Sequence, residues 1–245
     1  MSLTDKIEIP RRTMVLFFVI DTSGSMDGSK IGAVNTAIEE VIPAIKDVSD
    51  ENADAMIKIA ALEFSSGARW VTSKGPVEAD QFSWNYLNAA GVTDFGAACR
   101  ALNEKLSTKA FMHEATGSFA PAIFLLSDGE PTDDWTGDLA ALRKNNWFKA
   151  AVKVAIAIGD DANKEVLKEF TGTMESVLET HNAAMLKKMI KFVSVRASQV
   201  ASKSSNVTGS GVDMGDEQKQ TEMNDNLREF AEEIAVAPDN DQLDW

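Results

Sequence analysis

Several features that define whole classes of protein are scarce in this sequence. Its 245 residues include a single cysteine, Cys99, so no disulfide can form within the chain, and the composition does not indicate a secreted disulfide scaffold. The longest uninterrupted apolar run, residues 14–20, is far shorter than the ~20 residues that span a bilayer, and the residues before it do not have the pattern of a signal peptide. We therefore expect a soluble, cytoplasmic protein without membrane insertion.

Positive charge is also scarce. The chain has 24 lysines and arginines against 38 aspartates and glutamates, which gives a formal net charge of −14. A protein that binds DNA or RNA usually neutralises phosphates with a basic patch, so we expect no nucleic-acid partner. From residue 213 onward there are 11 acidic and 2 basic residues, so most of the excess negative charge lies in the tail.

What the chain does have is a set of apolar runs of strand length. Residues 14–20, 120–126 and 151–158 are almost continuously apolar, which is typical of strands buried on both faces. Residues 57–64 and 68–72 flank a short turn and predict a hairpin, hence one antiparallel strand. Residues 176–179 indicate a further short strand.

Amphipathic helical patterns alternate with these strands. Helices are predicted at residues 30–46, 95–106, 139–148, 163–170 and 183–200. The alternation predicts an α/β fold, with a doubly wound, mostly parallel central sheet of about six strands, one antiparallel edge strand, and helices on both faces, similar to a Rossmann fold.

The end of the chain differs in composition from the rest. We expect one domain over residues 1–201, a Gly/Ser-rich linker or loop over 202–220, and an acidic helix and tail over 221–245. Two interpretations of that helix are open. It packs on the domain, as marginal amphipathic helices usually must, or it is a partner-binding or self-inhibiting segment that offers a carboxylate to a bound metal ion.

Three polar loops follow or precede predicted elements at one edge of the sheet, where doubly wound folds bind ligands. The first supplies Asp21, Ser23 and Ser25, the second Thr93, and the third Asp128. Oxygen-only ligands suit hard cations such as Mg²⁺, Mn²⁺ or Ca²⁺. Because three of the five are neutral hydroxyls, such an ion would keep an affinity for an external carboxylate.

Other chemistries fit these loops less well. The phosphate-binding patterns G-x-x-x-x-G-K-[ST] and G-x-G-x-x-G are absent, and the loop is anionic where phosphate needs positive charge. A phosphoaspartyl hydrolase would need a second aspartate two positions after Asp21, where Ser23 stands. Nucleophilic catalysis needs a base beside the nucleophile, and His113 and His181 are far in sequence from the serines.

The motifs resemble a known family. "DTSGS" at residues 21–25 is similar to the D-x-S-x-S motif of von Willebrand factor A domains, and Thr93 in "GVTDFGAA" with Asp128 in "LLSDGEPTDD" resembles the two other elements of their metal-ion-dependent adhesion site. The resemblance implies a vWA fold over roughly residues 14–200. It also implies that Ser23, Ser25 and Thr93 contact a divalent ion directly and that the aspartates often act through water, while an acidic residue of a partner completes the coordination.

The same stretches, in a lone domain, also resemble bacterial intracellular members, notably the TerY-like group associated with tellurium resistance. That resemblance implies an adaptor in a tellurite or chemical stress response. We expect a binding module that recognises an acidic residue of a protein partner, with Mg²⁺ as the ion, and not an enzyme.

Two other functions stay open at this stage. One is a metal-dependent hydrolase or phosphatase that uses Asp133 or Glu130 as a base, although these side chains, with Asp27 and Asp134, also fit a solvated acidic rim. The other is a subunit of an ATPase-linked metal-insertion or remodelling complex, which some family members resemble.

Overall fold

The computed structural model describes residues 11–113, 117–203 and 214–236 of the chain. Its centre is a seven-stranded sheet in the order β3-β2-β1-β5-β6-β7, with β4 also paired to β2. The strands are β1 (Arg12–Asp21), β2 (Ala55–Ser65), β3 (Gly67–Trp70), β4 (Val77–Glu78), β5 (Ala122–Ser127), β6 (Val152–Ile158) and β7 (Val177–Thr180).

The sheet is mostly parallel, as predicted. The strands β2, β1, β5, β6 and β7 pair in parallel, while β3 and β4 pair antiparallel with the outer side of β2. The sequence predicted six of these strands, including the antiparallel β3. It did not predict β4, because two residues are too few to form a readable alternation.

Helices cover both faces of the sheet. Helices α1 (Ser29–Glu51), α6 (Ala183–Ala201) and α7 (Met214–Val236) contribute to the core on one face, and helices α2 (Phe95–Lys105), α3 (Thr136–Leu142), α4 (Asn146–Ala150) and α5 (Lys164–Thr171) to the core on the other. Side chains alternate between these two cores along β1: Leu16, Phe18 and Ile20 lie in the first, and Val15, Phe17 and Val19 in the second. This is why the run reads as continuously apolar.

The single helix predicted at residues 139–148 is wrong, because two helices occupy this part of the chain. The chain leaves the helical conformation at Asn145, whose side chain accepts a hydrogen bond from the Trp147 backbone N–H and so caps α4. Its amide group also donates to the carbonyl of Leu106 at 3.0 Å. An asparagine that caps one helix and bonds to another segment favours a break over a continuous helix.

The C-terminal helix α7 begins at Met214, so the predicted linker 202–220 overlaps its first turns; residues 204–213 lie outside the described part of the chain. The helix packs on the domain, with Met223 and Leu227 buried in the core. The Gln220 side chain accepts from the Lys153 N–H at 2.8 Å and donates to the Lys153 carbonyl at 3.1 Å. Helix α7 is thereby bonded to the start of β6, before the residues of β6 that pair with β7. The division into domain, linker and tail stays a prediction.

No helix in the described part of the chain is both long enough and apolar enough to cross a bilayer.

Candidate metal centre

The two candidate carboxylates leave adjacent strands at one edge of the sheet. Strands β1 and β5 are parallel neighbours that pair Ile20 with Leu126, so Asp21 and Asp128 emerge side by side. Both aspartates are fully buried. Two buried carboxylates at neighbouring strand ends need a partner that offsets their charge.

The first loop turns back over the end of β1. The Ser23 backbone N–H donates to Asp21 Oδ1 at 2.8 Å, and a single 3-10 turn follows over Gly24–Met26. The Met26 side chain is fully buried and anchors this turn in the core. As a result the hydroxyls of Ser23 and Ser25 lie 3.0 Å apart and share a hydrogen bond.

The second loop is bonded to the first. The Gly24 N–H donates to the Gly91 carbonyl at 3.0 Å, and the Ala90 N–H donates to the Thr22 carbonyl at 2.8 Å. Gly91 has a φ of 87°, and a Cβ there would lie 2.5 Å from Ser66 Oγ, so only glycine fits. The loop therefore approaches the end of β1 closely enough to bring Thr93 beside it.

Thr93 is also held from the third loop. The Thr132 N–H donates to the Thr93 carbonyl at 2.9 Å, and the Thr93 N–H donates to Thr132 Oγ1 at 3.3 Å. These contacts occupy the backbone of Thr93 and leave its hydroxyl as the group available at the site.

The carboxylate of Asp128 accepts two side-chain hydrogen bonds. Ser25 Oγ donates to its Oδ1 at 2.7 Å, and Lys30 Nζ, from the first turn of α1, donates to its Oδ2 at 2.5 Å. The neighbouring Ser127 Oγ donates to Asp21 Oδ2 at 2.6 Å. Residues of the first and third loops thus bond directly to each other.

The space beside Gly129 is where the three loops converge. A Cβ at this glycine would lie 3.3 Å from Thr93 Oγ1, 3.5 Å from Ser25 Oγ and 3.9 Å from Asp21 Oδ2. With Ser23 and Asp128 bonded to Ser25, the structure brings all five predicted residues together. The donor set, two carboxylates and three hydroxyls around a gap kept open by glycine, fits a small hard cation.

The electrostatics of the centre are unfavourable without a cation. Burial is the main cause that raises the pKa of Asp21, and the nearby charge of Asp128 raises it further, whereas hydrogen bonds from Ser127 and Ser23 lower it. The Lys30 ammonium supplies one positive charge against two carboxylates.

Among the residues that the structure describes, no group of three or more histidine, cysteine, aspartate or glutamate side chains could hold a metal. A metal held at this centre therefore needs hydroxyl ligands in addition to its two carboxylates.

The acidic residues suggested as bases have other surroundings. Asp133 accepts hydrogen bonds from the N–H groups of Phe95 at 3.0 Å and Gly96 at 2.8 Å, so it stabilises the start of α2. Burial raises the pKa of Asp133, although the hydrogen bond from Gly96 lowers it. Glu130 is exposed. Phe95 is buried and packs against Trp135, with ring centroids 5.9 Å apart, as expected of a core residue.

Sequence reasoning missed three residues of this centre, Lys30, Ser127 and Gly129. It also missed Asn35, whose side chain bonds to both backbone groups of Leu87 in the loop that leads to Thr93. Ser127 and Gly129 flank Asp128, so their position in the third loop was a usable signal. Lys30 and Asn35 lie in α1, and only the tertiary contacts of that helix connect them with the loops.

Residues 16–192 match the family model of the von Willebrand factor type A domain, which is well over half of the chain. The chain belongs to the von Willebrand factor type A domain family. The predicted fold class agrees with this match, and the matched residues lie within the range of roughly 14–200 expected from the motifs.

Individual relatives are distant. Inter-alpha-trypsin inhibitor heavy chain H1 of Mesocricetus auratus is 25% identical over 175 residues, which cover 69% of this chain and 19% of that protein. A von Willebrand factor type A structure from Catenulispora acidiphila has 20% identity and a TM-score of 0.59, and covers 76% of this chain and 43% of that one.

A second similar structure is proximal thread matrix protein 1 from the mussel byssus, solved with zinc in its metal-ion-dependent adhesion site (MIDAS) motif. It has 15% identity and a TM-score of 0.57, and covers 77% of this chain and 48% of that one. At these identities the structures show the shared fold. The chain spans about a fifth of the curated relative and less than half of the two structures.

Proposed function

We propose that this von Willebrand factor type A domain holds a divalent cation, Mg²⁺, at a metal-ion-dependent adhesion site and uses it to bind an acidic residue of a protein partner. The proposed ligands are Asp21, Ser23, Ser25, Thr93 and Asp128. When bound, the ion supplies a positive centre that a carboxylate can coordinate.

The observation that carries this proposal is the convergence beside Gly129. Oxygens of Thr93, Ser25 and Asp21, from two different loops, all lie within 3.9 Å of the position that a Cβ would take. Polar oxygens that face one small gap are what a cation site requires, whereas helix caps and turns would each use their hydroxyls locally.

The protein's own groups set the character of the site. The Ser23 N–H and the Ser127 hydroxyl hold both oxygens of Asp21 in fixed directions. The neutral hydroxyls of the serines and the threonine add ligands without adding negative charge. An ion held there keeps a net attraction for a carboxylate, which the partner supplies.

The donor set favours a hard cation such as Mg²⁺ over zinc. The related mussel protein has been solved with zinc in its MIDAS motif. In this chain, however, the five proposed ligands include no histidine or cysteine, and oxygen-only sites favour Mg²⁺, Mn²⁺ or Ca²⁺.

The proposal extends to the biological setting of the protein. The motifs that resemble the TerY-like group support an intracellular adaptor in tellurite or chemical stress response. An enzymatic role has less support, because Asp133 is engaged at the start of α2 by two backbone N–H groups and Glu130 is exposed.

Metal binding can be tested with Mn²⁺ alone, by titration followed with electron paramagnetic resonance. We expect the wild-type chain to bind one Mn²⁺ that excess Mg²⁺ displaces, and Ser23→Ala and Thr93→Ala to lose this binding while remaining folded. Ser83→Ala, at an exposed serine away from the site, is the matched control. Equal Mn²⁺ binding by the control and the site variants would contradict the proposed ligands.

Partner recognition needs a separate test. Capture of a protein from the native cell by the wild-type chain should be lost with chelator and in Ser23→Ala, and restored by Mg²⁺ in the wild type alone. Capture that both treatments leave unchanged would contradict recognition through the metal. Turnover of a phosphatase substrate that requires Mg²⁺ and disappears in Asp128→Ala would favour the enzyme instead.

A further inference from the structure

A groove on the outer side of α6 and α7 lies apart from the metal centre, and we call it the α6/α7 groove. Its volume is about 610 Å³. Phe192 and Val195 of α6 and Phe230 and Ile234 of α7 form its apolar floor, and the rings of Phe192 and Phe230 stack with centroids 4.1 Å apart. All four side chains are partly exposed.

The rim of this groove is basic, on a chain whose net charge is −14. Lys188, Lys191 and Arg196 line it and are exposed, and Glu233 is the acidic residue of the lining. The neighbouring Lys187 pairs with Glu40, but no ion pair between described residues involves Lys188 or Lys191. The groove therefore combines an apolar floor with positive charge that the described chain leaves available.

The residues that follow α7 have the complementary chemistry. Residues 237–245, APDNDQLDW, lie outside the described part of the chain and contain three aspartates, no lysine or arginine, and the apolar side chains of Leu243 and Trp245. They begin directly after Val236, where α7 ends, two residues beyond the groove residue Ile234.

Length allows this segment to reach the groove. Nine extended residues span up to about 30 Å, whereas the α6 side of the groove, from Lys188 to Gln199, is about 17 Å long at the rise of a helix. The segment is joined to the chain beside the groove, so its local concentration there is in the millimolar range typical of short tethers, about 1 mM or more.

We propose that residues 237–245 bind in the α6/α7 groove, with Leu243 and Trp245 on its apolar floor and the aspartates beside Lys188 and Lys191. Helix α7 lies outside residues 16–192 that match the family, so the α7 side of this groove belongs to the part of the chain that the family match does not cover.

The test is a disulfide-trapping measurement on the full chain. One variant carries Gln199→Cys, in the groove lining, and Gln242→Cys, in the segment; the matched control carries Asp225→Cys, at an exposed position of α7 outside the lining, with the same Gln242→Cys. The natural Cys99 is buried and stays in place. Equilibration in a glutathione buffer gives the effective concentration of each cysteine pair.

We expect an effective concentration at least about tenfold higher for the groove pair than for the control pair. In the groove-pair chain, Lys188→Glu with Lys191→Glu should lower it about tenfold, while Lys144→Glu with Lys149→Glu, two exposed lysines near α4 on the opposite face of the sheet, should not change it. Trp245→Ala, which changes only the segment, should lower it as well.

Three results would overturn the proposal. Equal effective concentrations in the two cysteine pairs would mean that the segment does not prefer the groove. No effect of either the charge reversal or Trp245→Ala would remove its chemical basis. A disulfide that forms between two chains instead of within one would assign the groove to a second copy.

Discussion

The side chain of Asn35 in α1 forms hydrogen bonds with both backbone groups of Leu87, in the loop that leads to Thr93. Asn35 Oδ1 accepts from the Leu87 N–H at 2.8 Å, and Asn35 Nδ2 donates to the Leu87 carbonyl at 2.9 Å. The same Oδ1 accepts from Trp84 Nε1 at 3.1 Å. Asn35 is buried, so these bonds form without competition from water. The loop is thereby attached to the helix that carries Lys30.

Asn35→Ala should weaken both the fold and the metal site. It leaves the buried groups of Leu87 and Trp84 without their partner, so we expect the free energy of unfolding to fall by about 2 kcal/mol or more. Because the loop carries Thr93, we also expect the affinity for Mn²⁺ to fall roughly tenfold. Denaturant unfolding and Mn²⁺ titration measure the two effects.

Asn88→Ala, at an exposed asparagine of the same loop, is the control for that variant and should change neither quantity. If Asn35→Ala lost stability but bound Mn²⁺ with unchanged affinity, the asparagine would support the fold without positioning Thr93.

Gly129→Ala should abolish metal binding and leave the fold intact. The added methyl group would enter the gap between Thr93 Oγ1 and Ser25 Oγ, at 3.3 and 3.5 Å, which is where the proposed ion lies. The cost in stability should be small, about 1–3 kcal/mol at most, because only side-chain oxygens need to move. Thermal unfolding with and without Mg²⁺ measures both effects.

Gly137→Ala in α3 is a matched glycine control. A Cβ there meets no atom within 4 Å, so this variant should bind metal normally and gain up to about 1 kcal/mol of helix stability. Retention of Mg²⁺-dependent stabilisation in Gly129→Ala would contradict the position assigned to the ion.

The fold could be predicted because a strand that is buried on both faces has an almost continuous run of apolar residues. The run at residues 14–20 lies within β1, and the run at residues 57–64 lies within β2. The alternation of such strands with helices then predicted a mostly parallel sheet. The break between α3 and α4 could not be predicted from periodicity, since the apolar residues on both sides still fit one helix. It depends on the contact of Asn145 with Leu106, which only the tertiary structure provides.

The candidate site could be predicted to a similar extent. Asp21 and Asp128 follow strands, and the family motifs include Ser23, Ser25 and Thr93. Lys30 and Asn35 lie in the amphipathic helix α1, and a lysine or an asparagine in such a helix does not by itself indicate a functional site. Their roles arise from which loop each side chain meets, and no pattern within α1 carries that information.

Lys30→Met should have opposite effects on the metal-free and metal-bound protein. Without metal, the variant leaves the buried Asp128 carboxylate without its ammonium partner, and we expect a loss of about 1–3 kcal/mol of stability. With metal, removal of a nearby positive charge should raise the affinity for Mg²⁺, because like charges repel. Thermal unfolding as a function of Mg²⁺ concentration measures both effects, since bound ligand raises the melting temperature.

Lys187→Met, at the neighbouring helix α6, is the control, because its partner Glu40 is exposed and its loss should cost little. Weaker Mg²⁺ binding in Lys30→Met would mean that the lysine serves mainly to orient Asp128.

The pH dependence of stability should identify Asp21 as a buried charge. Burial raises its pKa above the ordinary value of 3.8, so the folded state binds a proton more tightly than the unfolded state. The contribution of Asp21 to metal-free stability is therefore fully present below 3.8 and is lost as pH rises through its folded pKa, at about 1.4 kcal/mol for each unit of pKa difference.

Asp21→Asn removes this titration, so comparison with the wild type in chelator isolates it. We expect the stability of the variant relative to the wild type to increase as pH rises from 3.8 to 7, and Mg²⁺ to stabilise the wild type alone at pH 7. The shape of the curve matters more than its offset, because the amide also changes the hydrogen bond from Ser127 at all pH values. A difference in stability that stays constant with pH would show that Asp21 has the same pKa in the folded and unfolded states, which would contradict a buried carboxylate whose charge is unfavourable without the cation.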